Sequence, residues 1–350
     1  MDQTSPTTAP LQTAFAEPPP PGEIREVAPG VGWLRMPLPF ALNHINLWVL
    51  RDDQGLTLVD CGINTDATRA LWQTLFDGPL AGLPVRQLIC THFHPDHIGL
   101  AGWLADRCRV KLSITPLEWA AARRAREADP EDERRALTAV CDRAGLSDIR
   151  AGEAPSRNSY ASGVAPLPQD AVMLDAAATV FAANTTWRIV IGRGHAPELA
   201  ALYAPALKVL ISGDQVLPGI SPNVSVHPYA RDDNPLRAFI DSLADFRALP
   251  EDTLVLPSHK LPFTGLQRRV DELIAHHHDR LEDARRACAE GATAAFVMTK
   301  LFPRKLDGHQ TIFALGETLA HLNFLIARGE IRREHGADGR DSYRTVAAAA

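Results

Sequence analysis

The alternation of apolar and polar positions divides the chain into three textures. Residues 1–22 show no periodic apolar pattern, are rich in Pro, Thr and Ala, and end in the run Pro18 to Pro21. That composition predicts an extended, poorly ordered arm. From Val31 short apolar runs begin. Residues 45–50 and 56–59 flank the turn Asp52-Asp53-Gln54-Gly55, which predicts a hairpin. Over 66–76, Leu71, Leu75 and Phe76 fall at helical spacing behind Asp66. Residues 85–90 read as a strand, and Ile98, Ala101 and Leu104 as one face of a helix after His97. Residues 116–146 are charged, Ala-rich and helical, with a break near Pro130, and a loop-rich stretch with Pro155, Gly163, Pro166 and Pro168 follows. Strands resume at 187–191, 207–212 and 253–256. Short strands alternating with helices predict an α/β architecture.

The third texture starts near residue 266. Leu266, Val270, Leu273, His277, Leu281, Ala284 and Cys288 recur every three or four residues, the stripe of one long helix. Two more helical patterns, 292–302 and 309–328, precede polar strand-like pieces around Gly336-Ala337-Asp338-Gly339. Three helices and a hairpin suggest a small winged-helix-like module. The expected division is an arm over 1–22, a main domain over 23–265 with a helical insertion at 116–170, and the module over 266–350.

Composition narrows the class. The chain has 350 residues, 45% apolar and 22% charged, with a net charge of −6. That size fits two domains, and the composition excludes collagenous, coiled-coil and largely disordered chains. No run of 18 uncharged apolar residues occurs, so no membrane span is expected. The acidic excess disfavours a protein that mainly grips phosphate backbones. Residues 270–350 are nearly neutral, with 11 Lys and Arg against 12 Asp and Glu. The helix over 310–328 is mostly apolar on its readable faces, whereas a groove-reading helix carries basic or amide side chains toward bases or phosphates. Nucleic acid is therefore the minor expectation. The module is expected to pack on the main domain, wall its cleft or mediate homodimerisation. Five scattered cysteines without a CxxC pair argue against a disulfide framework or a cysteine zinc site. With no basic residue before Arg25 and no apolar h-region, a secretory signal is not expected and a cytoplasmic location is.

The chemistry concentrates in Thr91-His92-Phe93-His94-Pro95-Asp96-His97, directly after a predicted strand. Imidazole nitrogens and a carboxylate at this spacing suit zinc, with iron or manganese as alternatives. The competing reading is a helix start capped by Asp96. Further strand ends carry Gly194-His195-Ala196-Pro197, Ser212-Gly213-Asp214 and Leu256-Pro257-Ser258-His259.

Together and in this order, these motifs resemble the metallo-β-lactamase superfamily over about residues 31–265. The resemblance implies a four-layer αβ/βα sandwich of two mixed sheets with a metal site at one edge. It implies one metal on His92, His94 and His195, a second on Asp96, His97 and His259, and Asp214 bridging both. Asp96 would also orient a shared hydroxide and handle a proton. Asp60, in Leu58-Val59-Asp60-Cys61-Gly62, matches the family's strand-end aspartate and reads equally as support for a ligand histidine or as a turn cap. An aspartate at 214, where β-lactamases of this fold carry Cys or Ser, disfavours antibiotic hydrolysis. His94, where flavodiiron oxygen reductases carry Glu, disfavours those. The ligand set is similar to that of the thioesterases, lactonases and nucleases.

Two positions depart from the family pattern. Gly-His-Ser/Thr-x-Gly-His becomes Gly194-His195-Ala196-Pro197-Glu198-Leu199, and Pro-Gly-His-Gly becomes Pro257-Ser258-His259-Lys260. Lys260 faces either an anionic substrate group or solvent. His227, in the loop after Asp214, and Tyr160, in the insertion, are candidate pocket residues. His276, His277 and His278, about 100° apart on one helix, cannot converge on a metal. The C-terminal segment resembles the winged-helix domain of one superfamily branch that includes endoribonuclease-like members. The expected activity is hydrolysis of an ester, thioester or lactone of a small metabolite. A metal-dependent ribonuclease or phosphodiesterase is the alternative, and a mononuclear-iron persulfide dioxygenase ranks below both.

Overall fold

The structure, a computed structural model, describes residues 11–40, 42–146 and 158–346. Compactness separates two units: residues 1–126, 160–222 and 242–271 in one, and 127–159, 223–241 and 272–350 in the other.

The first unit holds two seven-stranded sheets. After a two-residue strand, β1 (Gln12–Thr13), the chain lays down β2 (Arg25–Ala28), β3 (Val31–Pro37), β4 (His44–Asp52) and β5 (Gly55–Val59) as an antiparallel run. Helix α1 (Asp66–Asp77) then leads to β6 (Val85–Ile89). The short α2 (Pro95–Ile98) and α3 (Ala101–Cys108) lead to β7 (Leu112–Ile114). Helices α4 (Pro116–Glu127), α5 (Pro130–Ala144) and α6 (Asn158–Gly163) precede β8 (Ala171–Met173). Strands β5 to β8 pair in parallel, as crossovers through helices require. The second sheet takes β9 (Thr179–Ala182), β10 (Thr185–Gly192), β11 (Leu199–Ala204) and β12 (Val209–Gly213) in antiparallel order. Helix α7 (Pro235–Arg247) follows, then β13 (Leu254–Pro257), parallel to β12, and β14 (Phe263–Thr264). This is the α/β sandwich that the motifs implied.

The expected disordered arm needs a correction within the described residues. Gln12 and Thr13 pair with Thr264 and Phe263, which adds β1 to the second sheet. Phe15 packs on Trp33 at 6.0 Å. An apolar ring that finds a core and a strand edge with unpaired backbone groups outweigh the Pro-rich composition around them. Residues 1–10 lie outside the described part, as do residues 147–157 of the expected insertion.

Why these sheets face each other follows from their inner residues. Val31, Trp33, Trp48 and Leu50 from the first sheet and Trp187, Ile189, Leu202 and Ile211 from the second form one buried cluster. Trp33 and Trp48 stack at 6.2 Å. Helix α1 lies against β3, and α3 against β6 and β7, so the first sheet is covered on its outer face as well. That is why β4 and β5 read as continuous apolar runs rather than alternating ones. Helix α1 is capped by Thr65, whose hydroxyl accepts the Thr68 N–H at 3.2 Å, one residue before the Asp66 start. Gly102 admits no larger residue, because an added Cβ would meet the Pro166 carbonyl at 1.9 Å.

The second unit contains α5, most of α8 (Leu266–Ala287), then α9 (Ala294–Leu301), α10 (Gly308–Ala327) and the hairpin of β15 (Ile331–His335) and β16 (Asp341–Thr345). Residues Ala314 to Leu325 of α10 are mostly buried. The hairpin is tied in by the Arg231–Asp341 pair at 2.8 Å and by Ala292 bridging Tyr343. Of the three consecutive histidines, only His277 is buried. Among the described residues no helix is long and apolar enough to cross a membrane.

Candidate metal centre

Four strand ends and one short helix deliver seven side chains to one place in the first unit. Strand β6 ends at Ile89, and the loop turns into α2 at Pro95, whose fixed φ suits a first helical position. His94 occupies the cap position without a side-chain bond to the helix. The helix-cap reading of Asp96 therefore fails: its carboxylate faces His97 Nε2 at 3.8 Å and His259 Nε2 at 3.4 Å.

His92 Nε2 stands 3.0 Å from His94 Nδ1 and 3.3 Å from His195 Nε2. These three form one set whose donor atoms all lie within 4.8 Å of one another, and Asp96, His97 and His259 form another. Asp214 stands between them, with Oδ2 at 3.4 Å from both His195 and His259, and Oδ1 at 3.6 Å from His97. Gly213, at φ 55°, turns the chain out of β12 and aims Asp214 at this point.

Seven donors this close leave polar atoms without ordinary partners. His97 Nε2 and Asp214 Oδ1 are buried and have no hydrogen bond. An orphaned buried nitrogen and oxygen facing each other are costly unless a further group satisfies them. Nitrogen and carboxylate donors with open lone pairs fit divalent cations. As protein charges alone, the groups split. Burial and the neighbouring imidazoles hold His92 and His94 well below the ordinary histidine range. Burial also opposes charge on His259, but Asp214 and Asp96 outweigh it and push it up to about 10. His97 is raised in the same way, against burial, by Asp60, Asp96 and Asp214.

The backs of these histidines are also held. Asp60, buried at φ 64°, places Oδ2 2.8 Å from His97 Nδ1 and accepts the Thr91 N–H at 2.7 Å. Asp60 thus contacts a histidine and a backbone N–H at once. The Thr91 hydroxyl lies 3.0 Å from His92 Nδ1, and His259 Nδ1 donates to the His44 carbonyl at 2.9 Å. Bonds of this kind fix tautomer and ring orientation.

The residue pattern of the metallo-beta-lactamase superfamily matches residues 42–259, and that of the metallo-beta-lactamase-like C-terminal domain matches residues 281–346. The chain belongs to the metallo-beta-lactamase superfamily. It is 26% identical over 307 residues to a probable metallo-hydrolase, YqjP, of Bacillus subtilis (strain 168), across 85% of this chain and 92% of that one. A beta-lactamase domain protein from Burkholderia ambifaria is 44% identical, covers 96% of this chain and 97% of its own, and superposes with a TM-score of 0.87. A metallo-beta-lactamase family protein from Thermus thermophilus is 30% identical over 92% of this chain and all of its own, with a TM-score of 0.78. The chain is thus a metallohydrolase of the superfamily with a metallo-beta-lactamase-like C-terminal domain; the winged-helix description of that domain has no support from these matches.

Within this superfamily chain the pocket candidates separate. The Tyr160 hydroxyl donates to the Phe93 carbonyl at 2.8 Å, so it is tied to the loop that carries His92 and His94. Lys260 follows His259 in a left-handed turn at φ 72° with an exposed side chain. Its carbonyl accepts from Arg35 Nη2 at 2.8 Å and Asn46 Nδ2 at 2.9 Å. His227 belongs to the second unit and stacks on Tyr229 at 5.5 Å. Sequence reasoning missed Arg35, Asn46 and Glu118. Arg35 and Asn46 sit on strands that read as plain sheet. Glu118 looked like one more charge in a charged helix, yet it is fully buried, and burial pushes its carboxyl up to about 7.

Proposed function

We propose that this chain is a two-metal hydrolase acting on an ester, thioester or lactone of a small metabolite. The observation that carries the reading is Asp214: one carboxylate within 3.6 Å of histidines from both donor sets. His92, His94 and His195 would hold one cation, Asp96, His97 and His259 the other, and Asp214 both. When bound, two divalent ions of this kind supply Lewis acidity and hydroxide at neutral pH. Zinc suits the donors best, with iron or manganese as alternatives.

The chain's own residues divide the remaining work. Asp214, 9% exposed, holds a fixed negative charge between the two histidine sets. Asp96 is 19% exposed, the more open of the two carboxylates, which suits a group that orients the hydroxide and handles a proton. Asp60 keeps His97 in the tautomer that leaves Nε2 free for a metal. The exposed Lys260 stands one residue from His259, which suits a substrate with an anionic group.

The same reading includes a main domain over 23–265 and a module over 266–350. The order of three helices and a hairpin supports calling that module winged-helix-like, and a homodimer through it is part of the proposal. Five unpaired thiols favour a reducing, cytoplasmic setting. The test is metal analysis of the purified protein followed by turnover of a panel of thioesters, lactones, β-lactams and RNA. Two equivalents of metal with ester or lactone turnover support the reading. RNA cleavage without ester turnover would move the assignment to a nuclease.

A further inference from the structure

We infer that Glu118 is a positioning residue that clamps the His92–His94 loop and the His195 loop at the spacing that one metal ion requires. The inference rests on the ligand assignment above and adds to it a residue outside every metal motif.

The geometry is specific. Glu118 lies in the first turn of α4 and is fully buried. Oε2 accepts the Phe93 N–H at 2.9 Å, and Oε1 accepts the Glu198 N–H at 2.6 Å. Phe93 is the residue between His92 and His94; Glu198 comes three residues after His195. One carboxylate therefore bonds the backbones of two loops that share no strand. The same helix end holds the second loop again, because the Thr115 hydroxyl donates to the Glu198 carbonyl at 2.7 Å. The far side of that loop is fixed by Gln215, whose Nε2 donates to the Arg193 carbonyl at 3.1 Å.

A buried carboxyl group is costly unless it is hydrogen-bonded, and packing alone would be served better by an apolar side chain. What a carboxylate adds is two acceptors at a fixed separation. Here they match two N–H groups, one on each loop that carries first-site histidines. Fixing both loops before a metal arrives lowers the ordering cost of binding. The loop after His195 also departs from the family pattern at Ala196, Glu198 and Leu199, and the clamp acts at Glu198.

The test is a titration of the metal-free full-length chain with Co²⁺, followed by calorimetry and visible absorption, on Glu118→Gln, Glu118→Asp and His94→Ala. Glutamine turns an NH₂ toward one of the two N–H donors and so loses that bond. The expected result is that Glu118→Gln weakens one equivalent of Co²⁺ about 10–100-fold and alters its absorption at saturation. The other equivalent and the far-ultraviolet dichroism stay as in the unaltered chain. Titration curves and spectra identical to the unaltered chain, with only a lower Tm, would make Glu118 a packing residue and overturn the inference. Should Glu118→Gln not fold, Glu118→Asp decides. One methylene shorter, it reaches a single N–H group, so the same selective loss is expected and an unchanged titration overturns the clamp. His94→Ala separates the two ideas. If it keeps both equivalents the ligand assignment itself is wrong; if it loses one while the Glu118 variants lose none, only the clamp is.

Discussion

Each compact unit of this chain buries a cluster of histidines, and the two clusters are wired in opposite ways. In the first unit the rear nitrogens are tied down, to Asp60, Thr91 and the His44 carbonyl, while the front nitrogens converge on Asp96 and Asp214. In the second, His321 Nδ1 donates to the Glu317 carbonyl at 2.8 Å, and His277 Nδ1 lies 3.4 Å from His321 Nε2. The His277 ring meets the edge of Phe239 at 5.4 Å. No carboxylate faces this pair among the hydrogen bonds described. Burial pushes His277 down to about 3 and His321 to about 4, whereas His259 is driven up to about 10. Burial of imidazole thus has two outcomes. With carboxylates in front it makes a donor set that could hold a cation, and without them it makes a neutral packing pair.

The sharpest way to break the contrast is to remove the carboxylate that both donor sets share. Asp214→Asn should abolish turnover and reduce bound metal, a loss larger than the roughly 100-fold ceiling of an outer partner. Metal content and kcat/KM measured together check this, and full turnover would refute the bridging role. Asp60→Asn tests the rear support instead. It should lower metal affinity or activity about 10–100-fold while the protein stays folded.

A smaller effect belongs to the second cluster. Lowered histidine pKa values mean that the unfolded chain binds protons more readily than the folded one. Their stability contribution is complete above about pH 6.5 and fades as pH falls toward 4 and then 3. The expected slope is up to about 1.4 kcal/mol per pH unit for each histidine. Urea unfolding of the protein at pH 7, 6 and 5 measures it, and His277→Phe should flatten the curve. A slope unchanged in that variant would show that His277 binds its proton as readily in the folded chain as in the unfolded one, and would refute the neutral pair. The smallest effect is expected for Lys260→Met. An exposed side chain should change stability by no more than about 0.5 kcal/mol. A rise in KM with kcat held, for an anionic substrate only, would place the ammonium against substrate.

Much of the first cluster was legible because its residues are written in short runs. His92 to His97 occupy six positions after a strand, and His195, Asp214 and His259 each follow a strand end. The clamp on these loops was not legible. Glu118 lies 25 residues from Phe93 and 80 from Glu198, within a helix whose other charges are mostly solvated. No periodicity separates a buried glutamate from an exposed one. Similarly β11, Leu199–Ala204, is buried throughout and carries none of the alternation that marks a half-exposed strand. Strand β1 was hidden for a different reason, because two residues pairing with β14 have no pattern of their own.

The sequence by itself determined the type of chemistry: five histidines and two aspartates in family order, on an α/β scaffold, with a helical C-terminal segment. Local spacing is enough for that, since residues in one short loop cannot be far apart. Only the tertiary structure decided which carboxylate stands between the two histidine sets. It also decided which histidines are held from behind, and that a buried glutamate joins two of the loops. Most of those facts depend on separations of 25 to 215 residues closed by packed sheets, and no local pattern encodes such closures.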